Sequence, residues 1–267
     1  MTVSLWQRLS ALKLRLFPTQ YRWPALDMLL GDRWLHLVGS IHMGTQNMQP
    51  LPPQLLRRLR QADALIVEAD ITRGGSPFTQ DEQRPPLAER FPATTLAGLE
   101  KLLLSLPFSL SQLDNLPAWQ IALMLQAQQA QQLGLRPEYG IDYQLLQAAR
   151  DWHKPVIELE GADAQITLLK TLPDDGKALL LDTLEHWHTN ARLLQMMMGW
   201  WLEHPPKQRQ LALPTTFSQT LNDTLITQRN LQWKESLTAL PGGRYVVAVG
   251  ALHLYGDDNL PELLRQA

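Results

Sequence analysis

The stretch WLHLVGSIHMG at residues 34–44 decides the fold, because it joins an apolar run to a glycine turn that carries a histidine. The run at 34–38 is too short for a helix and has the composition of a buried strand. Gly39 lets the chain leave that strand sharply, and Gly44 closes the turn. We therefore expect His42 at the tip of a turn above a sheet edge.

A second stretch repeats this pattern near the other end of the chain. RYVVAVGALHLYG at residues 244–256 contains a strand-like run, then Gly250, His253 and Gly256. One Gly-x-x-His pattern is weak evidence for a site, because a histidine in a glycine turn is often only hydrogen-bonded to backbone. Two such patterns at strand ends are stronger evidence, although two purely structural histidines remain the alternative.

Further apolar runs at 64–67 and 155–159 also predict buried strands. Helical spacing separates the strands, for example at 55–62, 116–133 and 142–152. The sequence thus predicts an α/β fold with a central, mostly parallel or mixed sheet and helices on both faces. A large helical portion should occupy the middle of the chain.

We interpret the 267 residues as a single domain. Residues 1–20 are expected to form an N-terminal helix, and residues 72–92 a long loop. Helical segments at about 90–135 and 178–235 should cover the site. The methionines and tryptophans within the second segment favour helix packing over a cofactor site.

Composition excludes several classes of function. The absence of cysteine rules out disulfides, thiolate ligands and a cysteine nucleophile. A net charge of −2 without a basic cluster argues against nucleic acid as a partner. Arg8, Lys13 and Arg15 interrupt the apolar N-terminus, so we expect neither a secretion signal nor stable membrane insertion, and we expect a cytoplasmic protein. Peripheral membrane contact of the N-terminal helix is the alternative.

Carboxylates follow the two other predicted strands. Glu68 ends the second run, and Glu158 and Glu160 end the third, where strand alternation predicts that these two share one direction. Functional groups gather outside the carboxyl ends of parallel strands, so these acids should meet His42 and His253. Two imidazoles with one or two carboxylates form an open site for a divalent metal ion.

In the expected mechanism, the metal ion is bound by His42, His253 and Glu68, with Glu160 as the alternative carboxylate ligand. The glutamate left over would act as general base toward a metal-bound water. Arg229 would stabilise the oxyanion, or form an ordinary salt bridge with Glu68 or Glu160. The remaining candidates are supporting residues around the ligands and turn glycines: Tyr139, Asp142 (alternatively a helix-capping carboxylate), Asn230, Gly39, Gly44, Gly250 and Gly256.

At these residues the chain resembles the TraB/GumN family, over about residues 34–264. The resemblance rests on the two Gly-x-x-His patterns, VEAD at 67–70, GID at 140–142, LE at 159–160, RN at 229–230 and the final Gly256. It implies a fold of two pseudo-symmetric α/β halves, related to the TIKI metalloproteases and more distantly to erythromycin esterase and ChaN-like proteins. It also implies Mn- or Co-dependent peptidase chemistry, with Zn possible, in which His42, His253 and Glu68 are essential.

The sequence therefore predicts a divalent-metal-dependent hydrolase, a peptidase acting through a metal-activated water on a peptide or small-molecule substrate. The alternative is a non-catalytic protein that binds a peptide, haem or small ligand in the same pocket. A purely structural protein would place the two histidine turns apart in space. The oligomeric state stays open.

Overall fold

The computed structural model describes residues 20–72, 84–206, 216–256 and 258–266. Almost all of the predicted N-terminal helix lies outside these residues, as do positions 73–83 of the predicted long loop. The end of that loop, at 87–90, forms a short helix instead.

A five-stranded mixed sheet forms the centre of the protein. The strands are β1 (Ala25–Leu30), β2 (Arg33–Ser40), β3 (Ala64–Val67), β4 (Val156–Glu158) and β5 (Gly243–Gly250). Their order is β1-β2-β5-β3-β4, with β1 antiparallel to β2 and all other neighbours parallel. The predicted α/β class and mixed sheet are confirmed.

Helices make up most of the rest of the described chain, as predicted for its middle. They are α1 (Pro53–Gln61), α2 (Leu87–Arg90), α3 (Ala93–Leu103), α4 (Leu110–Leu113), α5 (Ala118–Gln132), α6 (Ile141–Asp151), α7 (Ala162–Lys170), α8 (Lys177–Glu185), α9 (Trp187–Trp201), α10 (Gln219–Asn222), α11 (Gln228–Ala239), α12 (Ala251–Tyr255) and α13 (Leu260–Arg265). Short 3₁₀ turns span Gln46–Met48, Pro137–Tyr139 and Pro173–Gly176, and a π-helical turn, Asp223–Thr227, leads into α11.

The antiparallel edge strand β1 is absent from the sequence prediction. It joins β2 through a two-residue hairpin loop in which Gly31 has φ +61°. A Gly-Asp pair between two apolar stretches is a hairpin signal, because glycine adopts that φ without steric cost. The mixed pattern of β1, which carries Asp27 among apolar residues, hides the strand from a search for continuous apolar runs.

The strand order brings the two ends of the chain together. Strand β5 inserts between β2 and β3, so these two strands, which are consecutive in the sequence, are separated by a strand from the carboxyl end of the chain. Ser40 at the end of β2 pairs with Gly250 at the end of β5. The two Gly-x-x-His segments consequently leave the sheet side by side.

Each face of the sheet packs against helices. On one face, Val38 and Val246 contact Leu55 and Leu59 of α1, four residues apart on one side of that helix. The opposite face packs against α11 and α13, with Trp233 fully buried. A third apolar cluster joins α2–α5 with α8 and α10. Both sheet faces are therefore covered, as predicted, whereas the implied division into pseudo-symmetric halves stays a prediction.

Within the described parts of the chain, no helix combines the length and the apolar character that crossing a membrane requires.

Candidate functional site

Four predicted site residues lie at the carboxyl edge of the sheet. His42 comes two residues after β2, Glu68 directly after β3, Glu160 two residues after β4 and His253 three residues after β5. The charges of Glu68 and Arg229 act on the pKa of His42, and the charge of His42 acts on that of His253. The structure thus brings these side chains within electrostatic range of one another, and the purely structural alternative of two separate turns is not what the fold shows.

The loop that carries His42 is held by the segment before α6. The amide of Ile141 donates to the carbonyl of Ile41 at 2.9 Å, and Gly44 and Arg136 exchange two backbone hydrogen bonds of 3.0 and 2.7 Å. A Cβ on Gly44 would overlap the backbone of Tyr139, and one on Gly140 would overlap the carbonyl of His42. Both glycines are needed because two backbones touch here. Tyr139 serves the site through this backbone contact.

His42 is an exposed imidazole with an anionic partner. Its side chain is 62% exposed, and its Nδ1 is hydrogen-bonded to the carboxylate of Asp142, a buried residue in the first turn of α6. The negative charge of Asp142 raises the pKa of His42 to about 9, although burial of part of the ring opposes the shift. Solvent around the ring weakens this attraction. Asp142 therefore contributes more to the site than a helix-capping carboxylate would.

The second Gly-x-x-His segment is a helix, and the prediction of two matching turns is wrong at this point. Gly250 precedes α12, and His253 lies in the middle of that helix. The sequence Ala-Leu-His-Leu favours helix propagation, whereas Ser-Ile-His-Met-Gly in the first segment does not. His253 is only 3% exposed, so the helix turns its imidazole into the protein.

Neutral and cationic partners surround His253. Its Nδ1 lies 2.8 Å from Oδ1 of Asn230, and its Nε2 lies 3.2 Å from Nη1 of Arg229. Because the Arg229 guanidinium only donates, the tautomer consistent with both contacts carries its proton on Nδ1 and accepts at Nε2. Burial lowers the pKa of His253 to about 3, with Arg229 adding to the shift against the opposing charge of Glu68. The ring is therefore neutral at physiological pH.

Glu68 is a buried carboxylate whose two oxygens are both occupied. Oε1 accepts from the amide of Gly250 at 2.6 Å, and Oε2 accepts from Arg229 at 2.6 Å and from Gln165 at 3.2 Å. Burial raises the pKa of Glu68, but the positive charges of His253, Arg229 and His42 outweigh it and bring the value to about 2. His253 contributes because it is itself protonated at such low pH. Glu68 is thus ionised under all ordinary conditions.

Arg229 connects the acids and the buried histidine. Its Nε and Nη2 donate to Glu160 at 2.7 and 2.9 Å, Nη2 donates also to Glu68, and Nη1 contacts the carbonyl of Leu225 at 3.1 Å as well as His253. A guanidinium has five N–H bonds, and these five contacts use them all. The predicted pairing with Glu68 or Glu160 occurs with both. To stabilise an oxyanion, Arg229 would first have to release one of these partners.

Two residues of the site were missed by the sequence interpretation. Trp233 donates from Nε1 to Oε1 of Glu160 at 2.8 Å, and its ring lies 4.3 Å from the His253 ring and 4.7 Å from Cζ of Arg229. The four-residue spacing of Arg229 and Trp233, which places both on one side of α11, was an available signal. Gln165 on α7 lacks any comparable local signal.

The prediction that Glu158 and Glu160 share one direction is wrong, because β4 ends at Glu158 and the alternation ends with it. Glu158 accepts from the backbone amide of Asp70 at 2.8 Å and is exposed. The amide of Glu160 instead donates to the carbonyl of Glu68, which turns its side chain toward Arg229.

The residue types at this site are suitable ligands for a divalent ion, but their side chains are not placed to bind one together. Each histidine binds an oxygen through Nδ1, which is the orientation that metal-ligating histidines take from their supporting residues. Yet no group of three or more His, Asp or Glu side chains within the described ranges is placed to hold an ion. The Arg229 guanidinium contacts Glu68 and His253, two of the three residues that would hold the ion. Those ligands become available only if Arg229 moves.

The site therefore has two layers. A buried layer of Glu68, Glu160, Arg229 and His253 is fully hydrogen-bonded, and two carboxylates, one guanidinium and a neutral imidazole give it a net charge of −1. Above it, His42 is exposed and can exchange a proton with a bound molecule or a water, supported by Asp142.

Comparison with known proteins identifies the family of this chain. The model of the TraB/PrgY/gumN family matches residues 30–267. The chain is 56% identical over 264 residues to the protein YbaP of Escherichia coli (strain K12), which covers 98% of this chain and 100% of that protein. The YbaP of Shigella flexneri matches with the same identity and coverage. The chain belongs to the TraB/PrgY/gumN family.

Proposed function

We propose that this chain is a hydrolase in which His42, supported by Asp142, gives a proton to the leaving group and takes one from the water that attacks the carbonyl carbon. Peptide bonds are the first-choice substrate, because the sequence resembles a family with peptidase relatives among the TIKI proteins; an ester or a lactone is the second choice. The observation that supports the proposal most is the exposed imidazole of His42, paired with the buried Asp142, beside a buried ionic layer whose members hold one another by hydrogen bonds.

The identity of the base follows from accessibility. A general base must present a free lone pair to the proton that it removes. Arg229 occupies both oxygens of Glu160, and Glu68 is bound by Arg229, Gly250 and Gln165. His42 keeps its Nε2 side free of these contacts and is the exposed member of the group. His42 is thus better placed for proton exchange than either glutamate. Because its pKa is raised to about 9, it is protonated at neutral pH, so it acts first as proton donor and offers the free lone pair of a base only once it has given up that proton.

The buried layer has a supporting role in this proposal. Its net charge of −1, from two carboxylates and one guanidinium beside a neutral His253, favours the protonated imidazole of His42, which is its resting form at neutral pH. It also fixes the amide of Gly250 through Glu68. These contacts hold the sheet edge rigid, as an orienting environment requires.

We also propose a divalent metal cofactor, Mn or Co by resemblance. This part of the proposal is tested separately from proton exchange at His42. Such an ion lowers the pKa of a bound water and polarises a carbonyl. His42, His253 and Glu68 would hold it, and its binding requires Arg229 to release His253 and Glu68. We derive no step of proton exchange from the ion.

The decisive experiment measures cleavage of a peptide library by the full chain, purified without chelator and assayed with Mn²⁺, Co²⁺, Zn²⁺ or EDTA. His42→Ala should abolish turnover and leave folding intact, because the side chain is exposed. His188→Ala is the matched control, since this histidine is exposed on α9 and should leave turnover unchanged.

Each outcome separates the elements of the proposal. Turnover that survives EDTA and depends on His42 supports the hydrolase and eliminates the metal. Turnover that needs a stoichiometric ion supports both. Equal turnover in His42→Ala and wild type eliminates the mechanism. Tight binding of a peptide or haem without any turnover favours the alternative, a non-catalytic binding protein.

A further inference from the structure

The acids of the buried layer converge on a guanidinium. Nη2 of Arg229 donates to Glu68 at 2.6 Å and to Glu160 at 2.9 Å, so that one nitrogen lies between two carboxylates. Nε of Arg229 donates to the other oxygen of Glu160 at 2.7 Å. Carboxylates that converge on one point are also what a divalent ion requires of its ligands. The guanidinium and an ion would therefore use the same acids.

The charge of the layer makes these two cations alternatives. The two carboxylates and Arg229 give a net charge of −1, because His253 is neutral. A divalent ion added beside the seated guanidinium would change this charge to +1 in a largely buried environment, where uncompensated charge is costly. An ion that replaces the guanidinium would instead bring the charge of the layer to zero. Exchange of one cation for the other is thus favoured over binding of both.

The surroundings of Arg229 match a guanidinium more closely than a spherical ion. Nη1 contacts Nε2 of His253 at 3.2 Å and donates to the carbonyl of Leu225 at 3.1 Å, which brings every N–H of the group to an acceptor. The ring of Trp233 lies 4.7 Å from Cζ, and an aromatic face attracts an organic cation of this kind. Directed acceptors beside an aromatic face favour a planar cation.

The Arg229 side chain can leave without movement of its helix. The side chains of Arg229, Glu68 and Glu160 are 14%, 9% and 10% exposed, so the layer is open to solvent at these residues. Asn230 and Trp233, on the same helix, are fully buried and anchor α11 in the core. A rotation of the long Arg229 side chain therefore suffices to free both acids and the Nε2 side of His253.

We infer that Arg229 is the resident cation of this site and keeps a divalent ion out until its side chain turns away. This regulation rests on the metal cofactor of the proposed function. The ion binds only to the state in which Arg229 is released. A released state populated at about 0.1–10% weakens the apparent affinity for the ion by about 10- to 1,000-fold.

The test is calorimetric titration of the full chain with Co²⁺, without any substrate. Arg229→Ala should bind Co²⁺ about tenfold or more tightly than wild type, because Glu68 and His253 are then free. Arg192→Ala, an exposed arginine on α9, should match wild type. Millimolar guanidinium chloride should weaken Co²⁺ binding to Arg229→Ala, because the free cation takes the place of the lost side chain. The same concentration of KCl should not.

Two further variants secure the result. Adding Glu68→Gln to Arg229→Ala should reverse the gain in affinity, which distinguishes this site from histidines on the surface. Where Arg229→Ala does not fold, Arg229→Ala/Glu160→Gln takes its place in every comparison. This double variant keeps the net charge of the buried layer at −1, as in wild type, and still frees Glu68 and His253.

Each contrary result has its own meaning. Equal Co²⁺ affinity of wild type and Arg229→Ala would overturn the inference and leave the metal cofactor standing. Absence of Co²⁺ binding in both would overturn the inference together with the cofactor, whereas turnover that depends on His42 would still support proton exchange. A gain that survives Glu68→Gln, or that guanidinium does not reduce, would place the ion elsewhere and also overturn the inference. A peptide library that is never cleaved bears on the hydrolase alone.

Discussion

The two Gly-x-x-His segments have the same local pattern and opposite environments. The first is a loop whose histidine is 62% exposed and paired with the carboxylate of Asp142. The second is a helix whose histidine is 3% exposed and lies between Asn230 and Arg229. The pKa of His42 is raised to about 9, whereas that of His253 is lowered to about 3.

The difference shows what each level of structure determines. The strand-end pattern fixes where a histidine sits, because parallel strands end at one sheet edge. The tertiary environment fixes its charge, since the carboxylate of Asp142 favours the imidazolium of His42, whereas burial, with Arg229 adding to it, disfavours the imidazolium of His253. A pair of similar motifs thus yields one exposed, protonated imidazole and one buried, neutral imidazole.

Removal of the Arg229 charge should have the largest effect on this arrangement. Arg229→Met leaves Glu68 and Glu160 buried without their cation, and loss of one partner from a buried ionic network typically costs about 3–5 kcal/mol. We expect a lower free energy of unfolding in urea by about this amount. Arg192→Met on the exposed side of α9 is the control and should stay within about 0.5 kcal/mol.

The Arg229→Lys variant sharpens the same test. Lysine keeps the charge but not the five directed N–H bonds, so its free energy of unfolding should lie between those of wild type and Arg229→Met. Equal stability of lysine and wild type would show that charge alone, without the geometry of the guanidinium, supports the buried layer.

A methyl group added at Gly140 should destabilise the loop that carries His42. In Gly140→Ala the new Cβ overlaps the carbonyl of His42, and overpacking of this kind costs about 1–3 kcal/mol. Gly98→Ala is the matched control, because its Cβ meets no described atom within 4 Å and alanine favours a helix interior by up to about 1 kcal/mol. Urea unfolding of both variants checks the difference. A Gly140→Ala protein as stable as Gly98→Ala would contradict the close backbone contact.

The partner of His253 can be removed while the histidine is kept. Asn230→Ala deprives Nδ1 of its acceptor in a fully buried environment, and an unsatisfied buried group costs about 1–3 kcal/mol. Asn222→Ala, a half-buried asparagine at the end of α10, serves as control in the same unfolding measurement. If the free energy of unfolding fell by an equally small amount in both variants, the hydrogen bond to His253 would have no measurable stabilising role.

The sequence predicts which strands carry the site residues, but it does not predict which of these residues are hydrogen-bonded to one another. Strand runs and their terminal residues are local features, so β2, β3, β4 and β5 and the positions of His42 and Glu68 follow from the sequence. The insertion of β5 between β2 and β3 is a long-range event that no local pattern encodes. The contacts of Arg229 with Glu68 and His253 depend on that insertion.

Local misreadings have similar causes. The sequence does not predict the edge strand β1, because Asp27 interrupts its apolar run. The hydrogen bond between Asp27 and His36 accounts for a charged residue at this position. Glu158 and Glu160 separate because a three-residue strand ends before alternation can apply to both. The alternation of side-chain directions thus predicts orientation only for residues that lie within the strand.

The smallest predicted effect distinguishes the two histidines by pH. For His42 the folded pKa is raised to about 9 from 6.5, so its stabilising contribution is complete below pH 6.5 and disappears as pH rises to 9. For His253 the folded pKa is lowered to about 3, so its contribution is complete above pH 6.5 and disappears as pH falls toward 3. Asp142→Asn should therefore flatten only the alkaline side of the stability profile.

Exposure of His42 keeps this change below about 1 kcal/mol, as for other solvent-screened pairs, so NMR titration of the imidazoles is the sharper measurement. In Asp142→Asn the His42 resonances should titrate closer to pH 6.5 than in wild type, because the amide cannot supply the negative charge that favours the imidazolium. The His253 resonances should show no titration between pH 5 and 9 in either protein. A His42 pKa that is the same in both proteins would mean that Asp142 does not set its charge, and the contrast between the two segments would then have to come from exposure alone.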